Sequence, residues 1–194
     1  VYDDAYNKAL ELKEEHGYTF VHPFDDEYVI AGQGTIGLEI MNEMSDVDAV
    51  LVPIGGGGLI SGVACAIKSI SPHVKVYGVQ AAGAPSMYNA IHHGKMEALT
   101  SVSTIADGIA VKKPGELTYE MVKNYVDDIA LVTEDEIAAA ILALIEKQKM
   151  IAEGAGAVSV AAAMFHKFPL EGKKVVSLIS GGNIDVTSLS RVID

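Results

Sequence analysis

The chain has 194 residues, enough for one domain or for one large domain with part of a second. Its 14 basic and 26 acidic residues give a formal charge of −12, which argues against nucleic acid and anionic membrane surfaces as partners, since both demand a basic face. Hydrophobic residues at 49% and charged ones at 21% exclude a disordered chain.

The lone Cys65 excludes an intramolecular disulfide and a multi-cysteine metal site, and it fits a reducing, cytoplasmic compartment. No apolar run reaches the roughly 18 residues of a membrane span, and no leader pattern is present. Val1 in place of Met points to a processed product or a piece of a longer protein.

Along the chain, residues 2–16 predict an amphipathic helix, with Tyr2, Tyr6, Leu10 and Leu12 set among acids and lysines. His22-Pro23-Phe24-Asp25-Asp26 reads as a loop, because proline keeps the preceding residue out of the helical region. A helix is expected over 35–44, entered through Gly32-Gln33-Gly34. The continuous apolar run 49–54 (AVLVPI) has the character of a strand buried on both faces. Four glycines interrupt it, and helical character resumes over 59–69. Residues 75–80 form the next expected strand, followed by helices over 87–93 and 117–126. A strand at 129–133 leads through a Thr133/Glu136 capping box into a helix over 134–149. An Ala-rich helix over 154–165 precedes a last strand at 174–179, which ends in Ser180-Gly181-Gly182-Asn183. This alternation predicts an α/β domain: a mostly parallel twisted sheet with helices on both faces, in three αβα layers.

The stretch VPIGGGGLISG at 52–62 carries the most chemistry. Glycines leave room for an anion to approach the main chain, and the helix that follows adds its dipole and free N–H groups. A phosphate cradle is the reading, with a bare glycine turn as the alternative. The P-loop lysine is missing, and Ile60 or Ser61 stands where the dinucleotide pattern needs its last glycine. ATP and NAD are therefore poor fits, and a small monophosphate such as that of pyridoxal phosphate fits better. The Ser180–Asn183 cluster also closes a strand, at the end where open parallel sheets collect ligands.

Six segments occur in order: HPFDDEYVIAGQGTIGLEI from His22, the glycine loop, TIADG from Thr104, VDDIALVTEDEI from Val126, EGAGA from Glu153 and SGGNID from Ser180. Together they resemble the threonine dehydratases (threonine ammonia-lyases) of the pyridoxal-phosphate fold-type II group, which also holds serine dehydratases and serine racemases. The resemblance implies that the amides of Gly55, Gly56, Gly57, Gly58 and Leu59 hold the cofactor phosphate. It implies that Ser180 meets the pyridine nitrogen, and that Gly108 and Glu153 line the cofactor. The implied reaction converts L-threonine to 2-oxobutanoate and ammonia, with L-serine as the rival substrate. A homo-oligomer is implied as well.

The group's Schiff-base lysine belongs to a Ser-Phe-Lys-x-Arg-Gly motif, which this sequence lacks together with the Ser-x-Gly-Asn-His substrate loop. The expectation is that 21–194 form most of the large cofactor domain, that 1–20 belong to the small domain or its connection, and that both motifs lie upstream. No catalytic residue is therefore assigned within the chain. Lys68 sits about ten residues, roughly 15 Å of helix, past the glycine loop and is too distant to replace the missing lysine. If nothing lies upstream, a non-catalytic phosphate-binding or regulatory domain is the alternative. Serine racemases of eukaryotic type bind a divalent cation at positions matching Gln80, Ala84 and Ser86, where this chain offers no carboxylate, so no metal site is expected.

Other residues read more plainly. His92-His93 suit an exposed helix end, and Cys65 a small buried hydrophobe. Asp25-Asp26 and Asp127-Asp128 suit loops and helix ends, and Asp107 a turn; Glu153 is either a helix-start residue or a site residue.

Overall fold

A computed structural model describes residues 2–185 together with Thr187 and Ser190. Arg191 to Asp194 lie outside the described residues. Helix α1 (Tyr2–His16) is followed by α2 (Glu27–Glu43), β1 (Ala49–Pro53), α3 (Gly58–Ile70), β2 (Lys75–Ala81) and α4 (Ser86–His93). Next come α5 (Glu116–Tyr125), β3 (Asp128–Val132), α6 (Glu134–Ala143), α7 (Gly154–Met164) and β4 (Val175–Ser177).

All strand pairs are parallel, in the order β3-β2-β1-β4. Leu51 of β1 lies opposite Tyr77 of β2 and Ser177 of β4, and Ala81 of β2 opposite Val132 of β3. Alternate side chains of β1 feed separate cores. Ala49 and Leu51 pack with Ile137, Ile141, Val158 and Ala161 from α6 and α7. Val50 and Val52 pack with Met41, Val63, Ile67 and Val122 from α2, α3 and α5. Burial on both faces explains why β1 is apolar throughout instead of alternating.

Three expectations are corrected. Helix α2 begins at Glu27, well before residue 35, because Asp26 caps it: its Oδ1 accepts the amides of Tyr28 (2.9 Å) and Val29 (3.0 Å). Gly34 is therefore inside the helix, where lack of a side chain lets α2 lie against α3. Secondly, α6 passes at Leu144 into a π-helical turn ending at Gln148, and α4 and α5 run consecutively, so the alternation of strand and helix is not strict. Thirdly, Cys65 is half-buried and borders an apolar groove between α2 and α3.

Asp127 is tied down by charge. Its Oδ2 accepts from Lys68 Nζ (2.6 Å) and the Val76 amide (2.8 Å), and its Oδ1 from Lys75 Nζ (2.8 Å). Burial pushes the carboxyl up, but these bonds outweigh it and hold the group below its ordinary 3.8. A carboxyl depressed in the folded state adds stability above its unfolded value and loses that contribution as the pH falls toward the folded one. Asp127→Asn is expected to cost about 1 kcal/mol at neutral pH, the exposed Lys75 being screened by water. The difference should shrink below about pH 3.8. Thermal melts of both proteins on either side of that value check the sign.

Candidate cofactor site

The chain leaves β1 toward β2 on one side and returns to β4 on the other, so the strand order reverses at β1. The loops after β1 and β4 meet at that crevice, where open parallel sheets bind ligands. After β1 the chain turns sharply at Gly57, whose φ of +101° suits glycine and strains other residues. Helix α3 starts one residue later with no side-chain cap. Among the described residues, no protein acceptor takes the amides of Gly55, Gly56, Gly57, Gly58 or Leu59. The five residues that carry these donors border a cleft of about 360 Å³.

The cleft brings together the residues that the sequence analysis assigned to the cofactor. Gly55 to Leu59 form one wall, and Gly108, Glu153 and Ser180 also border it. Ser180 is exposed to the opening. Gly108 sits in the turn Asp107–Ile109, where Asp107 Oδ1 accepts the Gly108 amide at 2.9 Å, so Asp107 does form the turn. Glu153 stands at a helix start that borders the cleft. It occupies the N-cap position of α7 and ties down the loop after β4: its amide donates to Gly181 O (3.2 Å) and its Oε2 accepts the Asn183 amide (3.0 Å).

No Lys, Arg or His lines this cleft among the described residues, and Asp107 and Glu153 are its ionisable groups. Attraction for an anion must therefore come from the main-chain donors and the N-terminal end of the α3 dipole. The donor set fits a phosphate monoester, and the glycines let the loop pack closely against Phe24, Ile109, Met87 and Thr118, where Cβ atoms would collide. Lys68 is committed elsewhere, donating to Val74 O (2.7 Å) as well as to Asp127. At the end of β2, buried Gln80 accepts the Tyr88 amide at Oε1 (2.8 Å). His92 and His93 are exposed, with the His92 ring against Tyr88. Among the described residues, no group of three His, Cys, Asp or Glu side chains could hold a metal ion.

Phe24 and Thr118 were not legible as site residues. The Phe24 ring lies against the loop so closely that a Cβ on Gly56 would stand 2.5 Å from it. Thr118 bonds the loop from behind. The available signal was the start of α5 at Gly115-Glu116, which has no side-chain cap of its own.

Residues 1–181 match the family model described as pyridoxal-phosphate dependent enzyme. The chain belongs to this family. Within the pyridoxal-phosphate dependent enzymes, it is 57% identical over 194 residues to the L-threonine ammonia-lyase of Thermotoga maritima, covering 100% of this chain and 48% of that protein. It is 49% identical over 193 residues to the catabolic L-threonine dehydratase of Escherichia coli K12, covering 98% and 59%. The structure of processed threonine deaminase isoform 2 from Solanum lycopersicum matches with a TM-score of 0.93 and 42% identity, over 100% of this chain and 54% of that one. Maize serine racemase matches with a TM-score of 0.89 and 35% identity, over 97% and 58%. The chain spans about half the length of the curated relatives it matches.

Proposed function

We propose that this chain is the cofactor-holding part of a threonine ammonia-lyase that converts L-threonine to 2-oxobutanoate and ammonia. The observation that carries the reading is the set of five main-chain amides, from Gly55 to Leu59, that border one cleft without a protein acceptor. Pyridoxal phosphate, when bound, supplies a conjugated ring that takes up the electron pair left at an amino acid's α-carbon.

The residues of this chain would hold and orient it. The amides of Gly55 to Leu59 and the α3 dipole take the phosphate. The Ser180 hydroxyl would meet the ring nitrogen as a neutral donor, a partner that makes the ring a weaker electron sink than a carboxylate would. A weak sink would favour elimination over transamination, since the electron pair at the α-carbon then forms the double bond to the β-carbon as the β-hydroxyl leaves with the C–O bonding pair. Water lost in the elimination is regained when the product hydrolyses, so threonine yields only the keto acid and ammonia. Phe24, Ile109 and Val111 exclude water from the cleft wall.

The names of the relatives from T. maritima and E. coli support threonine as the substrate. Neutral Gln80 and Ser86 support a lyase over a cation-dependent racemase. Residues 21–194 act as the large domain and 1–20 as the edge of the small one. The Schiff-base lysine comes from outside these residues, in a cytoplasmic homo-oligomer.

Assaying the intact gene product decides the reading. Threonine should give 2-oxobutanoate with a higher kcat/KM than serine gives pyruvate, and keto acid from neither would overturn the proposal. The 194-residue chain mixed alone with pyridoxal phosphate should show no imine absorbance band.

A further inference from the structure

The glycine loop does not hold its own shape. Three of its carbonyls are pinned on the side away from the cleft. The Gly57 oxygen accepts the Ser61 amide at 3.0 Å within α3, and the Gly55 oxygen is approached by Gln80 Nε2 at 3.5 Å. The shortest bond runs from Thr118 Oγ1 to the Gly56 oxygen, at 2.6 Å. In a trans peptide the C=O and the following N–H point in opposite directions across one plane. Anchoring the Gly56 carbonyl to α5 therefore aims the Gly57 amide away from α5, while the bonds of the Gly55 and Gly57 carbonyls turn the Gly56 amide away from Gln80 and the Gly58 amide away from the body of α3.

Thr118 is itself placed from far along the chain. Its amide donates to Asp25 Oδ1 (3.1 Å), while Asp25 Oδ2 accepts the Glu116 amide (3.0 Å). Asp25 thus caps a helix whose own N-cap residue, Gly115, has no side chain to do so. The fit needs that glycine, since a Cβ on Gly115 would stand 2.1 Å from Asp25 Oδ1. Asp25 is fixed in turn by His22, whose Nδ1 accepts the Asp25 amide at 2.8 Å. Thr118 is fully buried and touches Gly57, where an added Cβ would come within 2.8 Å of the threonine Cβ.

We propose that Asp25 and Thr118 are positioning residues for cofactor binding: a relay through the start of α5 fixes the Gly56 carbonyl and so presents the loop amides to the phosphate. The inference rests on reading the loop as a phosphate site. It gives Asp25, alongside Phe24 of the same His22–Asp26 loop, a task at the cofactor.

The test uses the intact protein stripped of cofactor and titrated with pyridoxal phosphate and with pyridoxal, which lacks the phosphate. Thr118→Val keeps the buried volume and removes the hydroxyl. Affinity for pyridoxal phosphate should fall about tenfold, the expected effect of a lost buried hydrogen bond, with affinity for pyridoxal unchanged. Thr118→Ser should restore binding to within about threefold, since the hydroxyl remains. Should Thr118→Val fail to fold, Asp25→Asn, which swaps one acceptor for a donor, should give about a threefold selective loss. Equal loss of both ligands, no loss of either, or failure of serine to rescue would overturn the relay. A parent protein that binds the two ligands equally well would instead overturn the phosphate reading on which it rests.

Discussion

Gly62→Ala is expected to destabilise the protein by roughly 3 kcal/mol or more, a fall in melting temperature of about 6–12 °C. A Cβ at this position would stand 2.2 Å from Ile30 O and 2.6 Å from Gly34 N. Both are main-chain atoms inside α2, so no side-chain rotation relieves the contact, and only separating α2 from α3 does. Those helices make the most extensive helix–helix contact in the fold, and the contact is built reciprocally: Gly37 of α2 meets Val63 O, where a Cβ would come within 2.8 Å. Gly32 provides the control of opposite sign. It is exposed within the same helix, with nothing within 4 Å of an added Cβ. Gly32→Ala should raise stability by about 0.5–1 kcal/mol, because alanine restricts the unfolded chain and favours helix. Thermal or denaturant melts of the two variants measure both effects. A Gly62→Ala protein as stable as its parent would show that the close helix contact is not what these glycines are for.

The same helix pair marks where the sequence was legible and where it was not. Strands β1 and β2 were readable because burial on both faces leaves nearly continuous apolar runs, β3 from its short run 129–132, and the Thr133 capping box because it is local, with Glu136 N donating to Thr133 Oγ1 at 3.3 Å. Gly32-Gln33-Gly34 misled because glycine is an entry signal when only neighbours in sequence are weighed. Its role at Gly34 is a tertiary contact with Gly62. The glycine loop carries its own chemical signature at a strand end, whereas Gly108, Glu153 and Ser180 were proposed only through the resemblance to a family. Thr118 and Asp25 could not be picked out, because their bonds span 62 and 93 residues and neither residue type is unusual at its position. Long-range caps leave only a local deficit, such as the uncapped Gly115, and no local mark of the residue that fills it.

At Gly57 the same close packing bears on chemistry. Gly57→Ala in the intact protein is expected to weaken binding of pyridoxal phosphate about a hundredfold, more than the loss of any single hydrogen bond. Two constraints act together. The φ of +101° is a conformation that side chains rarely adopt, so alanine favours a different turn. In the present turn its Cβ would lie 2.7 Å from Met87 Cε and 2.8 Å from Thr118 Cβ. The Met87 methyl can swing aside, being the end of a flexible side chain. Thr118 cannot, since its amide is bound to Asp25 and its hydroxyl to Gly56 O. The loop is then left to rotate the peptide that joins Gly56 to Gly57. That rotation breaks the 2.6 Å bond from Thr118 and turns the Gly57 amide out of the cleft. Binding of pyridoxal, which makes no phosphate contact, should fall far less, and the melting temperature only modestly, because the strain sits in a loop and asks of the cores only a shift of the Met87 methyl. Titration of the cofactor-free protein with both ligands separates these outcomes, and undiminished affinity for pyridoxal phosphate would mean that the amides of this loop are not its anchor.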